Sequence, residues 1–432
     1  MKPAIPAFAR RLPYFYGWNI VAASFMTMFV SNGVAFWGLQ VFAGPMQDDT
    51  GWARASIMGA LTVRWIVGGM GGLVLGFLLD RRHGPMLLLV GGVLLDAGSM
   101  AALYWARSPA DFVWLFGVVG GIGSIGTGRL ISAALVPKWF VARRGLAMGV
   151  AATGSGMSAL IVTPIANAIV VSAGWREGWV WMAVVAAALL LPFALVVRRA
   201  PEDIGLVPDG GIPRPSSSGR RPRITAETEQ SYTAKEALRS WTLWTLIIAM
   251  SVGLFSMSTN ASSMVPFFTS VGFSPTVAAS GLAVYGGFST ASRFLWGFLA
   301  DRLTVRRAIF LQAVLTSLGI FFYLSVRNEP TLFASAAYQG LMLGGFVVLQ
   351  PLIWAEYFGR RHLGAITGIT QFLTIFALAA GPVFAAWIFD LTDAYTWAYR
   401  TLVGTWLLAA LLTLTVRPMR NRKLEMEEVP SP

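Results

Sequence analysis

Long apolar segments separated by short polar turns recur along almost the whole chain. Each is about 20 residues or longer, the length that an α-helix needs to cross the hydrocarbon core of a membrane. Runs of this length predict an all-α membrane protein with twelve transmembrane helices. The predicted spans are 16–44, 54–79, 85–106, 110–137, 145–173, 177–198, 240–269, 275–299, 305–326, 330–355, 363–389 and 395–416.

A polar connector divides these spans into two sets of six. Residues 199–238 are rich in proline, serine, arginine and acidic residues, unlike the apolar segments on either side. We therefore expect four regions along the chain. They are an N-terminal six-helix half at 1–198, a cytoplasmic connector at 199–238, a C-terminal six-helix half at 239–416 and a cytoplasmic tail at 417–432.

The composition agrees with a membrane protein, and the charges give its orientation. The chain is 56% hydrophobic and 12% charged, against about 25% charged residues in soluble proteins. With the N-terminus inside, 25 of the 33 Lys and Arg residues fall on the cytoplasmic side and 5 on the outer side. This bias predicts cytoplasmic N- and C-termini in a bacterial inner membrane. It also accounts for the net charge of +13 without nucleic acid.

Two sequence motifs occur once in each predicted half. "GFLLDRRHG" (Gly76–Gly84) follows the second span, and "GFLADRLTV" (Gly297–Val305) follows the eighth. Likewise "WFVARRGLAMG" (Trp139–Gly149) precedes the fifth span, and "YFGRRHLGAITG" (Tyr357–Gly368) precedes the eleventh. Repeated six-helix halves indicate a transporter that works by alternating access.

The first of these motifs resembles the G-x-L-x-D-R-x-G loop of the major facilitator superfamily. The second copy lacks the final glycine of the pattern. The resemblance implies the major facilitator fold, with two pseudo-symmetric six-helix halves. In that superfamily the loop clamps helix ends between conformations, which implies a gating role for Asp80, Arg81, Asp301 and Arg302.

More narrowly, the chain resembles the group of monocarboxylate transporters and oxalate/formate antiporters. The resemblance lies in "YGWNIV", "GWARAS", "KWFVARRGLAMGVAATGSG" and a single arginine in span 8, Arg293. In this group that arginine binds the substrate carboxylate. Two positions differ: Gln371 replaces the lysine that the oxalate carriers have in span 11, and Ser289 replaces an aspartate of animal carriers.

Four charged residues lie deep within the predicted spans, away from their ends: Arg64, Arg129, Arg293 and Asp96. A charge at bilayer depth costs roughly 2.5–3.5 kcal/mol, so these residues are candidates for function. The excess of arginine favours an anionic substrate, because a guanidinium can hold a carboxylate with two parallel hydrogen bonds. Arg293 and Arg129 are the first candidates as substrate ligands.

Each of these charges also has a structural interpretation. Arg64 either contacts the substrate or pairs with Asp96. Asp96 correspondingly is either a proton carrier or the counter-ion of Arg64. Arg129 could be held in a salt bridge, and Arg293 could extend toward the membrane surface.

Uncharged polar residues within the spans add weaker candidates. Asn32, Tyr285 and Gln371 could each donate a hydrogen bond to a substrate, although such groups more often join helices. The chain has no cysteine, and both histidines fall in predicted loops, so we expect no metal site, no cofactor and no enzymatic activity.

The sequence thus predicts a secondary active transporter of a small mono- or dicarboxylate. It would work by proton symport or by anion exchange, as a monomer in the lipid bilayer. Two alternatives remain open at this point: an efflux carrier for amphipathic drugs and a non-transporting membrane receptor.

Overall fold

The computed structural model describes residues 13–211 and 230–416, and twelve long helices account for most of them. The predicted all-α fold is confirmed. Helices α5 and α6 together span Arg144–Ala194. Gly174, whose φ is positive at 81°, separates α5 from α6. The others are α1 Gly17–Thr50, α2 Arg54–Asp80, α3 Gly84–Trp105, α4 Pro109–Trp139, α7 Trp241–Ser270, α8 Pro275–Arg302, α9 Val305–Tyr323, α10 Glu329–Phe358, α11 Leu363–Thr392 and α12 Thr396–Thr415.

The helices alternate in direction, so the junctions between them gather at two ends of the bundle. The junctions at 81–83, 140–143, 303–304 and 359–362 lie at one end, which carries most of the arginines outside the helices. We call it the basic end. Two short 3-10 helices, Pro201–Ile204 and Pro208–Gly211, follow α6 there, and a short helix, Ala234–Leu238, precedes α7. Part of the predicted connector, 212–229, and the predicted tail, 417–432, lie outside the described residues.

Two helices of the N-terminal set depart from regular α-helical geometry. Helix α1 is a π-helix over Ser31–Gly38, and α4 is a π-helix over Val113–Val119. Helix α4 is also interrupted at Gly128, which is extended (ψ −168°) between Gly120–Thr127 and Arg129–Trp139. Irregular turns within membrane helices often occur at functional positions.

Glycine explains why α4 can lie so close to α3. A Cβ atom at Gly123 would come within 2.6 Å of the amide nitrogen of Asp96, and one at Gly126 would overlap the carbonyl oxygen of Leu88. Only glycine leaves room for this backbone approach. Small residues of this kind are typical of helix interfaces in membranes, where packing rather than water drives association.

The two sets of six helices meet through α5 against α8 and α2 against α11. A Cβ atom at Gly297 would lie 2.5 Å from the carbonyl oxygen of Gly145, and one at Gly76 would lie 2.7 Å from that of Gly364. These four glycines lie near the basic end of the bundle. The repeated sequence motifs therefore form two equivalent close contacts between the sets.

Candidate functional site

Arg293 extends from α8 to α5 across the contact between the two sets of helices. Its side chain is buried, with 7% of the residue surface exposed. Nη1 donates to the hydroxyl oxygen of Ser155 at 2.7 Å and to the carbonyl oxygen of Ala152. Both acceptors are neutral, so these contacts leave the charge of the guanidinium uncompensated.

The other edge of this guanidinium has no acceptor. Nε is buried and makes no hydrogen bond within the described part of the chain. The structure likewise gives Nη2 no acceptor among residues 13–211 and 230–416. Nε and Nη2 form the edge of an arginine that can hold a carboxylate with two parallel hydrogen bonds. The unbonded edge of Arg293 thus has the donor geometry that matches a carboxylate, and it is separate from the Nη1 contacts with α5.

Arg64 and Asp96 form a closed ion pair inside the N-terminal set. Nη2 of Arg64 lies 2.6 Å from Oδ1 of Asp96, and Nη1 donates to the carbonyl oxygen of Phe116 at 3.2 Å. The second carboxylate oxygen of Asp96 accepts a hydrogen bond from Thr127 at 3.0 Å. Both residues are buried. These contacts favour the counter-ion interpretation over a substrate contact for Arg64 or proton transfer by Asp96.

Arg129 occupies the first position of the second segment of α4, directly after the interruption at Gly128. It is half-buried, and no residue in the described ranges accepts a hydrogen bond from it or pairs with its charge. The next residue, Leu130, lies 3.7 Å from the Cβ position of Gly72, so Arg129 lies at about the depth of the contact between α2 and α11. Arg129 is thus a second guanidinium without a protein counter-ion among the described residues.

The three uncharged candidates do not gather around these arginines in a single hydrogen-bonded cluster. Asn32 donates to the carbonyl oxygen of Met28 within its own helix at 3.1 Å. Tyr285 is buried, and its hydroxyl accepts a hydrogen bond from Asn260 at 3.4 Å. Gln371 is half-buried, and its side chain makes no hydrogen bond within the described part of the molecule.

The two aspartates with a predicted gating role cap helices of the opposite set. Asp80, at the end of α2, accepts hydrogen bonds from the backbone amides of Gly364 and Ala365, both at 3.0 Å. Asp301, at the end of α8, accepts from the amides of Gly145 at 2.6 Å and Leu146 at 2.9 Å. Amides in the first turn of a helix lack partners within that helix, and the helix dipole favours negative charge there. The two caps hold the sets together at the basic end.

The arginines of the same motifs make different contacts. The guanidinium of Arg81 lies over the ring of Phe77 at 5.0 Å, and that of Arg302 lies over the ring of Phe298 at 4.6 Å. Phe77 lies in α2, which ends one residue before Arg81, and Phe298 lies in α8 together with Arg302. Of the four motif residues, the two aspartates are the ones whose described contacts join the sets.

Lys138 and Asp209 also support this end of the molecule, and neither was among the predicted site residues. Nζ of the buried Lys138 lies 2.6 Å from Oδ1 of Asp80, and Asp209 accepts from the amides of Val141 and Ala142, both at 2.7 Å. Lys138 was counted only as part of the basic cytoplasmic side. Its position directly before "WFVARRG" was the available signal.

Two sets of six helices that cap each other's helices form the two-domain architecture found in many membrane transporters. The chain belongs to the Major Facilitator Superfamily, whose profile matches residues 23–289 and 255–430. It is therefore a multi-pass membrane transporter for a small-molecule substrate and not an enzyme.

Two curated relatives cover most of the chain at low identity. Monocarboxylate transporter 12 of Mus musculus is 25% identical over 96% of this chain and 88% of its own length. The oxalate:formate antiporter of Oxalobacter formigenes is 24% identical over 80% of this chain and 78% of its own length. The predicted resemblance to this group is thereby confirmed.

Solved structures share the fold. The human organic anion transporter MFSD10 superposes with a TM-score of 0.68 at 16% identity, covering 93% of this chain and 100% of the other. The fucose:proton symporter FucP of E. coli, in its outward conformation, gives a TM-score of 0.67 at 12% identity, covering 92% and 98%. These likenesses establish the architecture of the chain.

Proposed function

We propose that this chain is a secondary active transporter of a small organic anion, a mono- or dicarboxylate. One observation carries the proposal: among residues 13–211 and 230–416, the buried guanidinium of Arg293 has only neutral acceptors, and one of its edges is unoccupied. A charge at this depth is costly unless a partner of opposite charge is bound. A substrate carboxylate on Nε and Nη2 would supply that partner.

Arg129 is proposed as the second anion contact. It is located in the N-terminal set, whereas Arg293 is located in the C-terminal set. A carboxylate held between them would be bound by both halves. Asn32, Tyr285 and Gln371 are proposed as weaker polar contacts, of which Gln371 has the more available side chain. Arg64 is proposed as a structural residue, paired with Asp96.

The names of the related proteins agree with an anionic substrate. They include a monocarboxylate transporter, an oxalate:formate antiporter and an organic anion transporter. For this chain, proton symport and anion exchange both remain compatible with the proposal. The halves proposed to move against each other are residues 1–198 and 239–416.

We further propose that the basic end faces the cytoplasm of a bacterium, with both chain termini on that side. The excess of Lys and Arg at this end supports the orientation. Because the two aspartate caps join the halves there, the conformation described is then closed toward the cytoplasm. Substrate would enter from the outer side.

The test is uptake of labelled carboxylates by purified protein in liposomes. The panel is formate, acetate, lactate, pyruvate, oxalate, malonate and succinate, each offered with a pH gradient and, separately, with unlabelled anion inside. We expect saturable uptake of at least one anion. The variants Arg293→Gln and Arg293→Lys should both abolish it, because neither offers the two-donor edge.

Two results would contradict the proposal. Uptake of a neutral or cationic drug that survives in Arg293→Gln would identify an efflux carrier instead. Absence of saturable flux for every solute tested would favour a receptor. A melting temperature measured for each variant shows whether lost uptake reflects lost folding.

A further inference from the structure

Arg293 makes its hydrogen bonds with the opposite half of the molecule. The side chain belongs to α8, whereas Ala152 and Ser155 both belong to α5. We propose that Ser155 is a positioning residue, which orients Arg293 for the carboxylate and ties it to one conformation of the transporter. The inference rests on the proposed function of Arg293 as the substrate anchor.

Three groups form a closed triangle of hydrogen bonds at this point. Nη1 of Arg293 donates to Ser155 at 2.7 Å, and the same hydroxyl donates to the carbonyl oxygen of Ala152 at 3.0 Å. The carbonyl oxygen of Ala152 also accepts from Nη1. Because the guanidinium is planar, fixing Nη1 also fixes the direction of Nε and Nη2. Ser155 therefore determines which edge of the guanidinium is offered to a carboxylate.

The two helices that form the triangle are in close backbone contact on both sides of it. A Cβ atom at Gly149 would lie 2.6 Å from the carbonyl oxygen of Arg293, and one at Gly156 would overlap the side chain of Thr290. The cap of Asp301 on Gly145 belongs to the same contact between α5 and α8. Along α8, Asp301 lies about 12 Å from Arg293, at a rise of 1.5 Å per residue. Opening the basic end separates these two helices and breaks the bonds of Arg293.

The equivalent contact in the other half lacks this triangle. The repeated motifs align Gly72 with Arg293 and Thr374 with Ser155. The hydroxyl of Thr374 bonds only the carbonyl oxygens of Thr370 and Gln371 in its own helix, at 2.8 and 3.3 Å. Thr374 thus provides a matched position where a hydroxyl can be removed without touching an arginine.

A conformational consequence follows for the empty transporter. With the basic end closed, Nη1 of Arg293 has two acceptors; with that end open, it has lost both. A bound carboxylate compensates the charge in either conformation. The empty transporter therefore resides mainly in the conformation closed at the basic end, and removal of the Ser155 hydroxyl weakens that preference.

The natural absence of cysteine makes a distance measurement direct. Spin labels are attached at His83→Cys and Arg361→Cys, two exposed positions at the basic end in opposite halves. Distances are measured by pulsed electron spin resonance in lipid nanodiscs without any added solute. We expect one short distance in the parent protein. Ser155→Ala should raise the ratio of long to short distances about tenfold, which corresponds to about 1.4 kcal/mol.

Two further variants separate positioning from packing. Ser155→Thr keeps the hydroxyl while adding a methyl group, so it should restore the short distance; a packing role would make it at least as harmful as alanine. Thr374→Val removes the equivalent hydroxyl of α11 and should leave the distances unchanged.

The inference is overturned if Ser155→Ala retains the parent distribution, or if Thr374→Val shifts it equally. These outcomes are distinct from failure of the proposed function. If the distances stay unchanged in Ser155→Ala while Arg293→Gln loses carboxylate uptake, Ser155 has no positioning role and Arg293 remains the substrate anchor. Distances that shift in Ser155→Ala, together with normal carboxylate uptake in Arg293→Gln, would keep the conformational role of Ser155 and remove Arg293 as the substrate anchor.

Discussion

At the scale of single residues, the buried charges fall into two kinds. Arg64 has a carboxylate at 2.6 Å, a backbone acceptor and an aromatic ring at 4.9 Å, so its environment is complete without a solute. Within the part of the chain that the structure describes, Arg293 has neutral acceptors on one side and none on the other. The same residue type thus serves structure in one place and, by our proposal, binding in the other. The two arginines differ in whether the surrounding residues supply a carboxylate as counter-ion.

The ion pair of Arg64 and Asp96 gives a prediction about stability. Asp96→Asn leaves the buried guanidinium without its counter-ion, which typically costs about 3–5 kcal/mol. We expect a clearly lower melting temperature for the purified protein. The double variant Arg64→Gln with Asp96→Asn removes both charges and should recover most of the loss.

Transport by the double variant decides the role of Asp96. A counter-ion is dispensable once Arg64 is neutral, so uptake should return together with stability. A double variant that is stable and yet fails to accumulate substrate in a pH gradient would instead make Asp96 a proton carrier.

At the scale of helices, glycine controls how closely the two halves approach. Gly297 and Gly145 bring α8 and α5 together at the basic end, and Gly76 and Gly364 do the same for α2 and α11. The aspartate caps can form only because the backbones come so near. Closure of this end thus depends on the absence of side chains at these positions.

Replacing one of these glycines should therefore hold the basic end apart. In Gly297→Ala the added methyl group would lie 2.5 Å from the carbonyl oxygen of Gly145, a backbone atom that can move only with its helix. Overpacking of this kind costs typically about 1–3 kcal/mol. We expect longer distances between labels at His83→Cys and Arg361→Cys and slower uptake.

Gly286→Ala is the matched control within the same helix. A Cβ atom at Gly286 has no neighbour within 4 Å, so the label distances should remain those of the parent protein. Equal effects of the two substitutions would mean that helix propensity, and not contact between the halves, is responsible.

The helices were predictable from the sequence to within several residues, whereas their irregularities were not. Hydropathy reveals the length and the apolar character of each segment. A single extended residue such as Gly128, or a π-helical turn, changes neither of these. Arg64 and Asp96 could be recognised as a potential pair because both are charges in neighbouring spans. Ser155 could not be recognised, because its bond with Arg293 joins residues 138 positions apart.

At the scale of the whole molecule, the proposed orientation in the membrane rests on the distribution of positive charge. The prediction is that His83→Cys, at the basic end, is protected from a membrane-impermeant thiol reagent in intact bacterial cells. Asp48→Cys, exposed near the opposite end of α1, should react. Both should react after the cells are opened, because both positions are exposed. The reverse pattern would invert the proposed topology and the direction of access.

The alignment of Gly72 with Arg293 has a consequence for which half of the molecule holds the solute. A duplicated architecture offers two equivalent places for a charged anchor, and this chain fills one of them. By our proposal, the solute's carboxylate would stay on Arg293 of the C-terminal half, and Arg129 would contact it from the N-terminal half as that half moves. A chain with arginine at position 72 and glycine at position 293 would have this anchor in the N-terminal half. The N-terminal half would then carry the carboxylate, and the C-terminal half would close over it.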